Sequence, residues 1–496
     1  MMGLDFLLDR TRNNMSRFII EDIEILEAPE AALSTMTKEG RRKWMYPTPS
    51  TGGYTKARMI VGWLLIVLFV SLPLIKINGK PAIQLNILER EFSLFGLILY
   101  PTDTFLLLLF MVGTILTVVF GTALLGRVWC GWGCPQTVYM EFVYRPIERL
   151  LEGAEHVRKR RDEGPWNFDK IWRKSLKFVI YLALSCLLAN VFVSYIVGWD
   201  ALAEWMKGSP FNNLGFFIMM AGTTTLMLFD FGYFREQMCT VACPYARMQS
   251  VLLDKDSMIV SYDTSRGEPR ARRGKKALQQ EAEGLIEAKG DCIDCAACVR
   301  TCPTGIDIRE GLQLECIACT QCIDACDHIM DQIGKPRGLV RYTSENEIKH
   351  TRHKILRPRV LIYSVLMLGI FTALVTLLAG RKAYDINVGR DVGAPFIQVS
   401  PTEVANRIRF RVRNQTGAAS TFTIEAISPK EAKVTVIGVQ TIQLDPGQMK
   451  RVDTFVTSPT ALFKAGDEAP VKFRIKFSDG QVFEPEFKLL GPTNVK

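Results

Sequence analysis

The sequence predicts a membrane α-helical bundle of about five spanning helices in two parallel repeats, with a cysteine-rich domain on one face and a C-terminal β-sandwich. Three observations predict it. Five apolar stretches have the length of spanning helices, eight cysteines crowd into positions 292–326, and the last hundred residues alternate apolar and polar side chains. The 496 residues are 48% hydrophobic yet 23% charged, which excludes disorder, collagen and a small disulfide scaffold. The formal charge of +10 invites a nucleic-acid reading. Lys and Arg instead crowd beside the apolar runs, with no stripe of interleaved aromatic and basic residues, so no nucleic-acid partner is expected.

Residues 1–58 are largely polar and include Arg41, Arg42 and Lys43, so they read as an uncleaved N-terminal segment rather than a signal peptide. A four-helix membrane core follows over 59–253. Crossing roughly 30 Å of hydrocarbon takes about 20 helical residues. Met59–Ile75, Thr104–Leu125, Leu176–Val197, Leu214–Phe231 and, further on, Val360–Leu378 meet that requirement. Lipid cannot satisfy free backbone N–H and C=O groups, so each must close its own hydrogen bonds as a helix. Phe92–Tyr100 is too short and ends at Pro101; it reads as an interfacial or re-entrant piece, or as an early start to the second span.

Short-loop charge orients the bundle. The loop 126–174 carries ten Lys and Arg, against three in 76–103 and one in 198–213. By the positive-inside rule the basic loop is cytoplasmic. The N-terminus and residues 232–358 are then inside, and 380–496 outside, in the periplasm of a bacterial inner membrane. Arg381 and Lys382 on the outer flank run against this. Cysteine usage agrees with it: 12 of 13 fall in segments assigned to the inner face, Cys186 lies within the third span, and the outer domain has none. Bridged proteins show the reverse pattern, because disulfides persist in oxidising compartments.

The strongest motif is Cys292-x2-Cys295-x2-Cys298-x3-Cys302-Pro303, followed by Cys316-x2-Cys319-x2-Cys322-x3-Cys326. Three thiolates two residues apart wrap a loop around one corner of a cubane and leave its fourth iron to a distant ligand. In two-cluster ferredoxins the fourth Cys of each run serves the other cluster. The expected sets are therefore Cys292, Cys295, Cys298 and Cys326 for one [4Fe–4S] cluster, and Cys316, Cys319, Cys322 and Cys302 for the second. This makes 254–358 a cytoplasmic ferredoxin-like two-cluster domain. A pair of zinc sites is the competing reading, but zinc motifs usually separate their C-x2-C pairs by a longer loop. Asp327 stands where the first run has Pro303. Walker A, dinucleotide and nucleophile-elbow motifs are absent, so an electron donor must come from elsewhere.

A second motif recurs. Cys130-Gly-Trp-Gly-Cys134-Pro135 follows the second span, and Cys239-Thr-Val-Ala-Cys243-Pro244 follows the fourth, 109 residues later. Each copy closes a two-span unit, and such repeats often place a shared site at their interface. Proline is favoured at the first helical position, which puts Cys134 and Cys243 at helix starts, ahead of helical segments Gln136–Leu151 and Tyr245–Leu253. A helix N-terminus lowers a thiol pKa, and Arg127 and Arg247 would add to this. Thiolates select soft ions such as Cu(I). Zinc, a redox-active disulfide, and plain packing at a helix break with interfacial Trp129 and Trp132 are the competing readings.

None of the four histidines (His156, His328, His350 and His353) lies within a span, so a transmembrane haem held by His pairs is excluded. No C-x2-C-His haem-attachment motif is present either. Asp230, near the inner end of the fourth span, reads as interfacial, and Cys186 as a packing residue. The last span covers 359–380. Beyond it, 381–496 carries period-two runs at Arg407–Val412, Phe422–Ile427, Lys433–Val439, Arg451–Val456, Val471–Phe477 and Val482–Leu489, separated by turns such as Asp445-Pro-Gly and Asp479-Gly. About seven strands predict an immunoglobulin-like β-sandwich.

The order of these parts, two Cys-x3-Cys-Pro helix ends, the tandem eight-Cys run, a last span and a cysteine-free β domain, resembles the CcoG family, also called FixG or RdxA. These are accessory proteins of cbb3-type cytochrome c oxidase. The first two motifs are shared more widely with NapH and NosR-like membrane proteins, so the β domain is the more specific feature. The resemblance implies reduction of Cu(II) to Cu(I) during oxidase assembly, with copper handled by Cys130, Cys134, Cys239 and Cys243. It also implies a cytoplasmic electron donor and oxidase assembly factors as partners. A quinol-linked electron conduit and a non-enzymatic copper-binding scaffold are the alternatives.

Overall fold

The computed structural model describes residues 34–36, 41–77, 79–87, 91–100, 103–274, 277, 279, 280, 283, 285, 289–352, 354, 356–390, 393–416, 418–437, 441–463 and 468–492. His353 and most of the 1–58 segment lie outside them. Contacts divide the chain into two compact units. The first takes the chain to Ile75 with Pro81–Arg90 and Asp103–Leu374; the second takes Lys76–Lys80, Glu91–Thr102 and Val375–Lys496.

Among the described residues, five helices are long and apolar enough to span a membrane: α1 (Gly53–Ser71), α2 (Thr104–Leu125), α3 (Phe168–Val197), α4 (Pro210–Phe234) and α5 (Pro358–Ala379). Their apolar surface is mostly uncovered by protein. Only Arg58 and Gly62 are buried in α1, and only Leu106, Thr122 and Ala123 in α2. Exposed side chains such as Ile60, Leu64, Val67, Leu108 and Ile115 form a belt that water would not tolerate and lipid requires. The chain is a membrane protein.

α1 starts earlier than its apolar run because a distant residue caps it. Asp324 accepts from the Tyr54 and Thr55 backbone amides at 3.2 and 2.6 Å, and from Thr55 Oγ1 at 2.7 Å. A carboxylate there satisfies free N–H groups and faces the positive end of the helix. Gly52 permits the approach, since a Cβ would sit 2.2 Å from Asp324 Cγ.

Asp324 belongs to the cysteine-rich domain, which packs with the helices in the first unit. Strands Ile259–Tyr262 and Val340–Thr343 pair antiparallel, with Ile259 opposite Thr343. Helices Ala297–Thr301 and Gln321–Gln332 cover them, over a core that includes Val260, Ile306, Ile323, Met330 and Val340.

Among the described residues, the second unit holds ten strands beyond α5: β1 (Tyr384–Arg390), β2 (Ile397–Ser400), β3 (Glu403–Asn414), β4 (Ser420–Ser428), β5 (Lys433–Val436), β6 (Ile442–Leu444), β7 (Met449–Pro459), β8 (Glu468–Phe477), β9 (Val482–Phe483) and β10 (Glu486–Leu490). They form two five-stranded sheets, β5-β7-β3-β1 with β2 on β3, and β6-β4-β8-β9 with β10 on β8. Alternate residues of β3 and β8 turn inward, and the rings of Phe410 and Phe473 meet edge to face at 5.0 Å. Each of the six alternating runs contains a strand, although Lys433–Val439 is strand only to Val436, with 438 and 439 outside the described residues, and Val482–Leu489 splits into β9 and β10; β1, β2 and β6 add three that the pattern did not mark.

Phe92–Tyr100 is not an early start to the second span. It is a β-hairpin of the second unit, with Phe92 opposite Leu99. Its turn residues Phe95 and Gly96 have φ of 48° and 88°, as a two-residue hairpin turn demands. Tyr100 is buried beneath the Arg413 guanidinium, 4.4 Å away. Arg381, the residue that opposed the charge rule, donates from Nη2 to Ile98 O at 2.7 Å.

Candidate functional site

The two cysteine runs repeat one backbone conformation. Asp294 and Ala296 in the first run, and Ala318 and Thr320 in the second, have φ between 50° and 61°. They stand at the same two places in each run, beside Cys295 and Cys319. Left-handed backbone at four non-glycine residues costs about 1–3 kcal/mol each. Alternating right- and left-handed residues turn successive N–H groups into a concavity that binds anions, iron–sulfur clusters among them.

The thiols gather in crossed sets. The strongest thiol neighbours of Cys326 are Cys298, Cys295 and Cys292, whereas Cys322 lies among Cys319, Cys316 and Cys302. Cys302, Cys316, Cys319 and Cys322 line one cavity, which Cys298 of the other set also borders. Burial pushes the thiols of Cys298 and Cys326 up to about 12; such groups give up their protons when a metal takes them. Among the described residues, no three His, Cys, Asp or Glu side chains converge as they would on a single ion. Zinc draws its thiolates to about 2.3 Å from one point. A cubane takes one thiolate at each of its four irons, and each crossed set offers four.

Each Cys-x3-Cys-Pro motif ends as its prolines require. Pro135 and Pro244 open the helices Pro135–Tyr139 and Pro244–Leu252, with Cys134 and Cys243 in the extended residue before them. Side chains cross between the two copies. Gln249, on the helix after Cys243, donates from Nε2 to Cys130 Sγ at 3.3 Å. Gln136, on the helix after Cys134, donates to Asp230 Oδ1 and to Arg235 O, both at 3.1 Å. The strongest electrostatic neighbours of Cys239 are Cys134, Cys130, Cys243 and Asp230. The four thiols thus lie within electrostatic reach of one another, while among the described residues no three of them converge as they would on a single ion.

Their electrostatics differ from the expectation. Burial raises the Cys130 pKa to about 11, against the pull of Gln249 and Arg127. It raises Cys134 and Cys239 as well, although the Gln136 and Thr137 amides at the helix start act the other way on Cys134. Desolvation outweighs the helix N-terminus, so these thiols are neutral until an ion displaces the proton.

The site also contains residues that no sequence motif marked. Asp230, read as merely interfacial, joins the thiols through Gln136. Trp132 Nε1 donates to Tyr342 OH at 3.0 Å, and Tyr342 OH donates to Ala318 O at 3.1 Å, tying the first motif to the loop between Cys316 and Cys319. Cys239 borders a small cavity that it shares with Glu236, Glu141 and Thr304. Around it lies a buried ion-pair network, in which Arg235 donates to both oxygens of Glu148 at 2.6 and 3.1 Å, and Arg158 to Glu148 at 2.9 Å. Thr35 Oγ1 lies 3.1 Å from Thr240 Oγ1, and Ser34 Oγ donates to Thr304 O at 2.7 Å. The segment before α1 therefore touches both the second motif and the cluster loops. Cys186 is exposed on α3 and does not pack.

Paired cluster-type loops under five apolar helices define a membrane-bound iron–sulfur electron-transfer protein. Residues 234–345 match a family model for a 4Fe–4S dicluster domain, 104–153 one for a 4Fe–4S binding domain, and 374–492 one for the Ig-like fold at the C-terminus of FixG. The nitrogen fixation protein FixG of Rhizobium meliloti is 31% identical over 87% of this chain and 89% of its own length. Protein RdxA of Cereibacter sphaeroides is 33% identical over 77% and 81%, and RdxB of the same organism 31% identical over 83% and 87%. The chain belongs to the FixG/RdxA family.

Proposed function

We propose that this protein is a cupric reductase of the bacterial inner membrane, supplying Cu(I) for assembly of cbb3-type cytochrome c oxidase. When bound, two [4Fe–4S] clusters would supply one-electron carriers, held by Cys292, Cys295, Cys298 and Cys326, and by Cys302, Cys316, Cys319 and Cys322. Cu(II), the substrate, would be taken at Cys130, Cys134, Cys239 and Cys243 and leave one electron richer as Cu(I). The observation that supports this reading is the electrostatic neighbourhood of Cys239 with Cys130, Cys134 and Cys243, together with the close approach of Gly131, next to Cys130, to the loop between Cys316 and Cys319. Thiolate favours Cu(I) over harder ions, so the same side chains that receive copper favour its reduced state. Burial keeps the thiols of Cys130, Cys134 and Cys239 protonated. The two Cys-Pro helix ends would be equivalent parts of parallel repeats, facing the cytoplasm with the basic loop, while the β-sandwich faces the periplasm.

The test uses anaerobically reconstituted protein reduced with dithionite. Stoichiometric Cu(II) should reoxidise it, and Cys130→Ser or Cys243→Ser should slow that step at least tenfold with iron content unchanged. Reoxidation by a quinone analogue but not by copper would replace the copper reading with a quinol-linked conduit. Tight Cu(I) binding without reoxidation by either acceptor would leave a scaffold.

A further inference from the structure

Both thiol motifs meet the same cluster site. Gly131, next to Cys130, lies flat on the loop between Cys316 and Cys319: a Cβ there would sit 2.6 Å from Ala318 O and 2.7 Å from Ile317 O. Only glycine allows that approach. From the second motif, Cys239 borders the cavity lined by Pro303, Thr304 and Ile317, which belong to the loops of Cys302 and Cys316.

Charge is distributed unequally between the two cluster sites. Arg127 is buried and donates from Nη1 to Leu314 O and, at 3.1 Å, to Cys316 O, while its Nε has no partner. Arg58 is 1% exposed, donates from Nε to Gly131 O at 2.9 Å, acts across space on Cys319, and leaves Nη2 without a partner. Buried guanidinium groups with unsatisfied N–H donors call for a negative neighbour. The other site has Arg309, which Asp307 and Asp294 pair, and Arg273, which donates from Nη2 to Gly290 O and, at 3.2 Å, to Cys292 O; Asp327 follows Cys326. Two buried cations thus stand beside one site, with Glu315 near Arg127 and Glu141 near Arg58, whereas beside the other Arg309 is paired twice and Arg273 is only half-buried.

We propose that the site of Cys302, Cys316, Cys319 and Cys322 is the one that passes electrons to the thiol quartet across Gly131, and that Arg127 and Arg58 hold its potential above that of the site of Cys292, Cys295, Cys298 and Cys326. Reduction adds one negative charge to a site, and fixed positive charge in a water-poor interior favours that state. Each transfer takes one electron from the Cys292 site to the Cys302 site, with no bond made or broken. The acceptor at the thiols then takes that electron. The inference rests on the iron–sulfur reading but not on copper as the acceptor.

The test is a potentiometric titration of the full-length protein followed by EPR, with the two signals assigned from Cys316→Ser and Cys292→Ser. Arg127→Gln should lower the midpoint of the signal missing from Cys316→Ser, by at least the 59 mV that corresponds to a tenfold change in a one-electron equilibrium. The other midpoint should stay in place, and Arg127→Lys should recover most of the shift. Gly131→Ala should leave both midpoints in place and slow reoxidation at least tenfold by whichever acceptor serves the unaltered protein. If Arg127→Gln loses iron, Arg58→Gln carries the same expectation. A shift confined to the other signal, an equal shift in both, or an unchanged reoxidation rate in Gly131→Ala overturns the proposal. Failure of copper to reoxidise the unaltered protein removes the copper reading and leaves the midpoint result to decide this one.

Discussion

Gln321 donates from Nε2 to Glu141 Oε2 at 2.9 Å, joining the residue before Cys322 to the helical stretch that follows Cys134. Both partners are buried. Glu141 also pairs with Arg145, one helical turn on. Burial works to raise the Glu141 pKa, but Arg145 and Arg58 outweigh it and hold the carboxyl below its usual range. One carboxylate therefore ties the thiol helix to the cluster helix.

Truncating it should be costly. Glu141→Ala leaves the Arg145 guanidinium buried without this partner, and removal of one member of a buried pair costs about 3–5 kcal/mol. Glu141→Gln keeps a hydrogen-bonding oxygen for Gln321 and should cost less. Thermal unfolding in detergent, with iron content measured in parallel, checks the order. Equal unfolding temperatures for Glu141→Ala and the unaltered protein would show that the pair contributes nothing.

Glu148 gives the protein a pH dependence of known sign. Burial alone would raise its pKa, but Arg235, Lys177 and Arg158 together bring it down to about 2. Its unfolded value is about 4.3. A carboxyl with a depressed folded pKa contributes stability that is fully present above its unfolded pKa and is lost as the pH falls through the folded value. The stability gap between the unaltered protein and Glu148→Gln should therefore be constant from pH 7 to about 5 and narrow steadily below that. A gap that widened on acidification would contradict the assignment.

What the sequence made legible follows from range. The spans and most strands are local patterns, written in 20 apolar residues or in period-two alternation, and they appear where the pattern puts them. The crossed thiol sets could be anticipated because cubane ligation constrains the spacing. Other features depend on residues far apart in the chain. α1 begins at Gly53 because Asp324, 270 positions away from Tyr54, caps it. Gln136 meets Asp230 only once the two halves of the bundle pack. The thiol pKa values were misjudged for the same reason: the helix start is visible in Cys-Pro, but the burial that overrides it is a property of the assembled site.

In the second unit, the hairpin and the sandwich meet at a glycine. Gly447 has φ of +76°, and a Cβ there would lie 2.2 Å from Tyr100 Oη. Gly447→Ala therefore meets both backbone strain and a steric clash, and should displace the hairpin Glu91–Leu99. Limited proteolysis of protein in vesicles should then cut within 91–100 faster than in the unaltered chain, while iron content stays the same. Unchanged cleavage would mean that Tyr100 moves aside without cost.

The crossing of the cysteine sets makes the sharpest prediction about metal content. Cys326 lies in the second run but among the thiols of the first, and Cys302 the reverse. If each run held its own cluster, Cys326→Ser and Cys316→Ser would remove the same one. With crossed sets, Cys326→Ser should remove the same EPR signal as Cys292→Ser, and Cys302→Ser the same signal as Cys316→Ser. Each single variant should fall from about eight to about four irons per chain, since each site holds one [4Fe–4S] unit. Cys186→Ser, on the exposed face of α3, should keep all of its iron. The pairing of lost signals, rather than the amount of iron lost, separates the two arrangements, because partial unfolding lowers iron content in either case but leaves no reason for the signals to cross.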